Sequence, residues 1–224
     1  MSKIINIRGD IITDDMKWIY DWFDEPYTSP KQVETQLAEA IDAEEDIIVR
    51  INSGGGLLMA GQEIYSLIHG LDATVEVTGI AASAAALIAM GGKVVKMHPA
   101  SMIMIHNVSG SFAGDYHEMQ HGAKVLQELN KATALAFVEK SNKNIEEVLS
   151  LMDKETWITA DKALEYGFAD EIIGVDMQAA ASYEGLSITP EQIAMAKAER
   201  AMREKADAEH AREKMRLELE LALL

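Results

Sequence analysis

The sequence contains no cysteine. The chain therefore has no disulfide bond, no thiolate nucleophile and no cysteine ligand for a metal ion. It also lacks an uninterrupted run of about 18 apolar residues, which a membrane-spanning helix needs. The start, Met1 to Arg8, turns polar within a few residues and has no signal-peptide core. From these absences we expect a soluble protein of the cytoplasm.

Basic residues are scarce compared with acidic ones. The chain has 20 Lys and Arg against 37 Asp and Glu, for a net charge of −17. Phosphate-binding surfaces need clustered basic side chains, so nucleic acid and anionic membranes are excluded as principal partners. With 224 residues and 48% hydrophobic residues, the chain can bury a sizeable core as one domain with, at most, an appendage.

Apolar, β-branched segments alternate with helical patterns over most of the chain. This alternation predicts βαβ units and an α/β fold, a parallel sheet with helices on its faces. The run Asp46–Ile51 is typical of a strand buried on both faces. Strands are predicted at Lys3–Ile12, Asp46–Ile51, Ala73–Gly79, Lys93–Met97 and Met102–Ile105, and helices at Asp14–Phe23, Ser29–Ala43, Leu57–His69, Ala81–Met90, Tyr116–Glu139, Asn144–Met152 and Ala160–Tyr166.

The composition changes after about residue 178. Small residues form a linker at Gln178–Glu184, and residues 191–224 contain neither Pro nor Gly and are rich in helix-forming residues. We therefore expect a body at residues 1–178, followed at 179–224 by a linker and a charged helical extension. That extension is either a solvated helix or an interaction helix for scaffolding or assembly.

A short motif, His117-Glu118-Met119-Gln120-His121, fits the H-E-x-x-H pattern of zinc hydrolases. A hydrolytic zinc site needs a third protein ligand and an open coordination position. The only histidine further along is His210, deep in the charged tail. We therefore expect a solvated helix face here, with no metal and no cofactor.

The glycine segment, Gly54-Gly55-Gly56, follows a predicted strand. It lacks the Lys-Ser or Lys-Thr of a phosphate loop and the spacing of a dinucleotide-binding loop. Glycines let backbone amides approach a ligand closely, as an oxyanion hole requires. A plain tight turn explains the same residues equally well.

Two polar residues further along have the chemistry of nucleophilic catalysis. Ser83 lies among small residues where a strand leads into a helix. Its role there is either that of a nucleophile or that of a small packing residue. His106 lies at the end of an apolar strand. It is either a general base or a histidine held by local hydrogen bonds. With the acidic cluster Asp153-Lys154-Glu155 after them, the chain contains every part that serine hydrolysis requires.

These motifs resemble the Clp protease proteolytic subunit family. The resemblance covers residues 3–175, and the motifs follow one another in the family's order. Two variant forms, Ser53-Gly54-Gly55 in place of Ser-Pro-Gly and Glu155-Thr156-Trp157, look like the phage or prophage branch associated with capsid (prohead) maturation. The matching stretches are Ile51–Gly56, Gly79–Ala85, Met104–His106 and Trp157–Asp170.

The resemblance implies a serine endopeptidase with a ClpP/crotonase-like α/β fold. It implies that Ser83 is the nucleophile, His106 the general base, and the amides of Gly55 and Ala84 the oxyanion hole. Glu155 aligns with the third member of the triad. The family also implies a homo-oligomeric ring, a heptamer or stacked rings, that degrades unfolded polypeptides. For the phage branch, capsid or scaffold proteins are the expected substrates.

Departures from the family keep some alternatives open. The third triad residue is usually Asp, so Asp153 is the alternative to Glu155. The family's N-terminal loops have no clear counterpart, which leaves the need for an unfoldase ATPase open. A crotonase-like acyl-thioester enzyme would use glycine-segment amides without a Ser83–His106 pair. A non-catalytic assembly or scaffold protein would use Ser83 only for packing.

Overall fold

A computed structural model describes residues 2–174 of the chain. This part forms an α/β fold around one eight-stranded sheet. The elements are β1 (Ser2–Ile11), a 3-10 turn (Asp14–Met16), α1 (Lys17–Phe23), β2 (Tyr27–Thr28), α2 (Pro30–Asp42), β3 (Asp46–Gly56), α3 (Leu58–Ile68), β4 (Ala73–Ala82), α4 (Ala84–Ala89), β5 (Val94–Met97), β6 (Met102–Ile105), α5 (Tyr116–Lys140), α6 (Ile145–Asp153), β7 (Thr156–Thr159), α7 (Ala160–Tyr166) and β8 (Glu171–Ile172).

The main run of the sheet has the strand order β2-β1-β3-β4-β5-β8, and its strands are parallel. Strand β6 pairs in parallel with the last residues of β4 and antiparallel with β7. The predicted α/β fold with a parallel sheet is confirmed. Parallel pairing brings the carboxyl ends of β3, β4 and β6 to one edge of the sheet, where binding sites of α/β proteins form.

Two rows of apolar side chains cross the sheet and form the centre of the core. Each residue of both rows is 0% exposed, and burying one such side chain contributes roughly 1.5–3 kcal/mol. Buried residues of α2, α3 and α4 belong to the same apolar cluster and cover this face of the sheet. The rows are Ile5–Val49–Val75–Val95 and Ile7–Ile51–Val77–Met97.

The other face of β3 differs from the sequence prediction. Ile48 and Arg50 are only half-buried, and the Arg50 guanidinium donates to the Glu76 carboxylate at 2.7 Å on the neighbouring strand. Strand β3 is therefore buried on one face rather than on both. The reason is that the helices covering the core lie against the opposite face.

Two predicted boundaries near the sheet edge are wrong. The glycine segment is not a turn but the end of β3, because Gly56 pairs with Ile11 of β1. The helix predicted from Ala81 begins at Ala84 instead, since Ala81 and Ala82 pair with β6. The short strands β2, β7 and β8 were not predicted. Pairing with a neighbouring strand, which no local pattern shows, explains all of these differences.

The predicted linker and helical extension, residues 179–224, lie outside the described residues, as does the predicted boundary at residue 178. None of the helices within residues 2–174 combines the length and the apolar character that crossing a bilayer requires.

Candidate active site

Ser83 occupies the turn between β4 and α4. Its backbone has φ 55° and ψ −122°, a conformation that costs about 1–3 kcal/mol for a residue other than glycine. The turn is held because the Ser83 N–H donates to the Met104 carbonyl at 2.9 Å. All residues of the following helix, Ala84–Ala89, are buried. This packing places the Ser83 hydroxyl at the carboxyl end of β4.

His106 directly follows β6 and reaches the same edge of the sheet. Strand β6 pairs with β4 so that Met104 lies opposite Ala82, which brings the two strand ends together. The His106 Nε2 atom is 2.7 Å from the Ser83 Oγ atom. At this distance a neutral imidazole accepts the hydroxyl proton, which is the contact that activates a serine nucleophile.

Gly55 brings the end of β3 directly against the Ser83 turn. A Cβ atom at this position would lie 2.6 Å from the Ala82 carbonyl oxygen, 2.8 Å from the Ser83 Cβ and 3.1 Å from the Ala84 nitrogen. The φ of Gly55 is +100°, which also disfavours a side chain. Only glycine therefore allows this close approach of backbone to the Ser83 turn.

The Gly55 amide already has a hydrogen-bond partner. It donates to the Ser53 hydroxyl oxygen at 3.1 Å, and that buried hydroxyl donates to the Gly9 carbonyl at 2.6 Å. A substrate oxyanion beside Ser83 would compete with Ser53 for the Gly55 N–H. Sequence reasoning missed this role of Ser53, because Gly9 lies on another strand.

A cavity of about 280 Å³ opens beside Ser83 and His106. We call it the serine cavity. Its walls are mainly apolar, and the glycine segment contributes Gly56 to its lining. A cavity of this character beside a nucleophile can take an apolar side chain. The larger apolar wall residues are Leu57, Leu58, Leu87, Ile105, Val108 and Phe137.

Of the two candidate acids, Asp153 is the last residue of α6 and Glu155 lies two residues further on, and neither is hydrogen-bonded to His106 within residues 2–174. Glu155 has φ 48°, its side chain is exposed, and its carboxylate makes no hydrogen bond to the part of the chain that the structure describes. Asp153 accepts from the Asn107 amide at 2.8 Å. The structure thus brings together Ser83, His106 and Gly55, while the third member of the triad stays a prediction.

An amide network fixes the loop after His106. The Asn130 side chain on α5 donates to the Asn107 oxygen at 2.6 Å and accepts from the Val108 N–H at 2.8 Å. Together with Asp153, it holds Asn107 from two helices. Sequence reasoning missed Asn107 and Asn130, and the position of Asn107 next to His106 is the only signal that could have found them.

The H-E-x-x-H motif lies in the first turns of α5, where His117 and His121 are exposed. The Glu118 carboxylate accepts from the Asp115 N–H at 2.9 Å, and Asp115 accepts from the amides of His117 and Glu118. Glu118 therefore closes a helix cap. Among residues 2–174, no group of three or more His, Asp or Glu residues could hold a metal ion.

The sequence of this chain is similar to those of known proteins. A family model described as Clp protease matches residues 27–176. The ATP-dependent Clp protease proteolytic subunit 2 of Tropheryma whipplei is 28% identical over 159 residues, which cover 69% of this chain and 88% of that protein. The ATP-dependent Clp protease proteolytic subunit of Bacteroides thetaiotaomicron is 32% identical over 146 residues, 63% of this chain and 66% of that protein. The ATP-dependent Clp protease proteolytic subunit of Ligilactobacillus salivarius is 34% identical over 139 residues, which cover 60% of this chain and 71% of that protein.

The fold and the site define an α/β protein with a serine–histidine pair at the carboxyl edge of a parallel sheet. The family model covers more than half of the chain. The chain belongs to the Clp protease family. The predicted family is therefore confirmed.

Proposed function

We propose that this protein is a serine-type endopeptidase that cleaves polypeptides. The observation that carries the proposal is the 2.7 Å separation between Ser83 Oγ and His106 Nε2, which both line a mainly apolar cavity. Membership of the Clp protease family supports peptide bonds as the target. In the first step, Ser83 Oγ attacks the peptide carbonyl carbon while His106 Nε2 takes the hydroxyl proton.

The attack produces a tetrahedral intermediate with a negatively charged oxygen. The amides of Gly55 and Ala84 are the proposed donors to this oxygen, and the close packing of Gly55 on the Ser83 turn supports that role. His106 then gives its proton to the leaving amine, and the peptide bond breaks to leave an acyl-serine. Water, deprotonated by His106, hydrolyses the ester and restores the Ser83 hydroxyl.

Glu155 is the proposed third member of the triad. The Asp153 carboxylate is engaged by Asn107, whereas the exposed Glu155 carboxylate has no hydrogen-bond partner among residues 2–174. Ile105 pairs with Thr156 in the antiparallel ladder of β6 and β7, so Glu155 is next to His106 in register. An acid beside His106 would hold the ring in the productive tautomer and stabilise the imidazolium that forms during the reaction.

We propose that the active form is a homo-oligomeric ring, a heptamer or stacked rings, in the cytoplasm of the host cell. The relatives are named as subunits of ATP-dependent proteases, which supports an assembly. Native mass spectrometry measures the ring size. Cleavage of a folded protein with and without a Clp-type ATPase decides whether an unfoldase is needed.

Capsid or scaffold proteins of an assembling phage prohead are the proposed natural substrates. The support is the variant Ser53-Gly54-Gly55 and Glu155 in the family's motif positions. Of the two alternatives for residues 179–224, an interaction helix for scaffolding or assembly fits such a setting. Incubation with proheads should yield shortened capsid or scaffold chains, and no shortening should occur with Ser83→Ala.

Labelling with a fluorophosphonate tests the mechanism directly. We expect one adduct per chain, mapped to Ser83 by mass spectrometry, and the same labelling in the control Ser66→Ala, whose serine lies on the exposed face of α3. Absence of an adduct in a folded, assembled sample contradicts the proposal. No finding supports the alternatives, an acyl-thioester enzyme or a scaffold protein, and retained acyl-CoA turnover in Ser83→Ala would be needed to favour the former.

A further inference from the structure

A second groove, of about 360 Å³, lies beside the glycine segment. One of its walls is the glycine segment itself with Leu57, and the other is formed by Ile11, Ile12, Met16 and Tyr20. We call it the side groove. In the strand order, β3 lies between β1 and β4. The side groove is therefore on the β1 side of β3, and the serine cavity is on the β4 side.

The side groove and the serine cavity are neighbours that share part of their lining. Gly56 and Leu57 line both of them. The relation between the two is fixed by backbone pairing, because the Leu57 N–H donates to the Ile11 carbonyl at 2.7 Å. A Cβ atom at Gly56 would overlap the same Ile11 carbonyl. A ligand that crosses the end of β3 at Gly56 and Leu57 therefore reaches both spaces.

The outer wall of the side groove is held firmly by the rest of the fold. The Ile12 N–H donates to the Thr28 carbonyl at 3.0 Å. Asp14 accepts from the Ser29 hydroxyl at 2.7 Å and from the Lys31 N–H at 3.2 Å, which ties the wall to the first turn of α2. The side groove is thus bounded by anchored backbone.

The chemistry of the side groove is apolar at its base and polar at its rim. Ile12 is 2% exposed, while Met16 and Tyr20 are half-buried. The Tyr20 hydroxyl donates to the Asp10 carboxylate at 2.9 Å, and this hydrogen bond, with burial and the charge of Asp10, raises the pKa of Tyr20. The Tyr20 side chain is therefore uncharged and held in one orientation in the wall of the side groove.

The outer wall does not come from the part of the chain that the family model matches. That match begins at residue 27, whereas Met16 and Tyr20 precede it. The glycine segment and the Ser83–His106 pair lie inside the match. The side groove thus combines a family element with a wall supplied by residues 12–20.

We propose that the side groove is a specificity subsite that takes a large apolar side chain of the polypeptide substrate. A substrate that crosses the end of β3 from its β4 side to its β1 side would place one side chain in the serine cavity and another in the side groove. Met16 and Tyr20 are the residues that select this second side chain. The proposal rests on the proposed peptidase function.

Cleavage of a peptide library, with products identified by mass spectrometry, tests the subsite. Met16→Trp fills the side groove, and Met16→Ala enlarges it. Because a change of a methylene or more in an apolar pocket alters kcat/KM by roughly tenfold or more, we expect Met16→Trp to lower kcat/KM about tenfold for peptides with a large apolar residue at one position. Peptides with a small residue there should change less than twofold, and Met16→Ala should shift the preference toward larger residues.

The matched control is Trp22→Ala, which removes an aromatic side chain that is 80% exposed on α1, outside the side groove. Its cleavage profile should equal that of the parent. The rate of fluorophosphonate labelling at Ser83 should be the same in the parent and in all these variants, because the reagent does not extend into the subsite. Circular dichroism verifies folding, and Met16→Ala carries the test if Met16→Trp does not fold.

The outcomes separate the two proposals. No labelling of Ser83 in the parent overturns the proposed function and the subsite together. Normal labelling with an unchanged cleavage profile in both Met16 variants overturns the subsite alone. Labelling that slows in the Met16 variants but not in Trp22→Ala also overturns it, because Met16 would then support the catalytic pair rather than select the substrate.

Discussion

Ser83 and Glu155 both have a positive φ, 55° and 48°, but opposite surroundings. The Ser83 turn is hydrogen-bonded to Met104, packed against Gly55 and followed by a fully buried helix. Glu155 follows the end of α6, where its side chain is exposed. A positive φ is thus imposed by packing at Ser83, whereas at Glu155 it accompanies the end of a helix.

A strained backbone indicates a reactive residue only where the surrounding structure holds that residue in place. At Ser83 the strain directs the hydroxyl to His106 at 2.7 Å. At Glu155 the strain leaves the carboxylate in solvent. If Glu155 nevertheless acts in the triad, it does so as a mobile group, whereas the Ser83–His106 pair is already assembled.

The largest expected effect is the loss of catalysis in Ser83→Ala and in His106→Ala. Each substitution should lower kcat for a fluorogenic peptide by at least about a thousandfold, because the two groups act as one unit. The double variant should be no worse than either single one. His98→Ala, a histidine outside the serine cavity, is the control. Residual activity within tenfold of the parent would contradict the assignment.

A smaller effect separates the two acids. Glu155→Gln should lower kcat by roughly a hundredfold, because an uncharged partner stabilises the imidazolium poorly. Asp153→Asn should cost less than tenfold, since the amide oxygen of the new side chain can still accept from the Asn107 amide. Steady-state kinetics measures both. The reverse order of effects would make Asp153 the acid. The acid would then be fixed by a hydrogen bond, as the Ser83–His106 pair is.

A substitution that disrupts the packing at the end of β3 should destabilise the protein. Gly55→Ala should lower the free energy of unfolding by about 2 kcal/mol or more, because the new methyl group meets the Ala82 carbonyl and φ is unfavourable. Gly54→Ala is the matched control, since a Cβ there meets nothing within 4 Å. Urea denaturation measures both, and equal effects would show that Gly55 does not pack as described.

The smallest effect concerns the strain at Glu155. Glu155→Gly should raise the free energy of unfolding by about 1 kcal/mol, since glycine adopts a positive φ without penalty. Lys154→Gly, at φ −95° in the same helix end, should give no gain. Thermal or urea denaturation measures the difference. A destabilised Glu155→Gly would mean that the Glu155 side chain makes a contact that supports the fold.

Much of the fold and the catalytic pair could be predicted from the sequence. Strand β4, helix α2 and strand β6 have local patterns, which do not depend on distant residues. Ser83 and His106 each directly follow a strand, and parallel strands end at a common edge. The prediction failed at Ala81 and at the glycine segment, where pairing with β6 and β1 extends the strands.

Hydrogen bonds between distant residues could not be predicted in this way. The Ser53 hydroxyl bridges Gly9 and Gly55, and Asn107 contacts both Asp153 and Asn130. These partners lie on different strands and helices. Their contact depends on how those elements pack.

The sequence by itself determined the α/β alternation, the order of glycine segment, Ser83 and His106, and the family. These depend on periodicity and short motifs, which act over neighbouring residues. Only the tertiary structure decided that the Gly55 amide is bound by Ser53, that Asp153 is held by Asn107, and that residues 12–20 form a wall beside the glycine segment. These contacts arise because β1, β3 and β4 lie side by side in the sheet. Residues of α5 and α6 also reach Asn107, just after β6, and side chains far apart along the chain thereby come into contact.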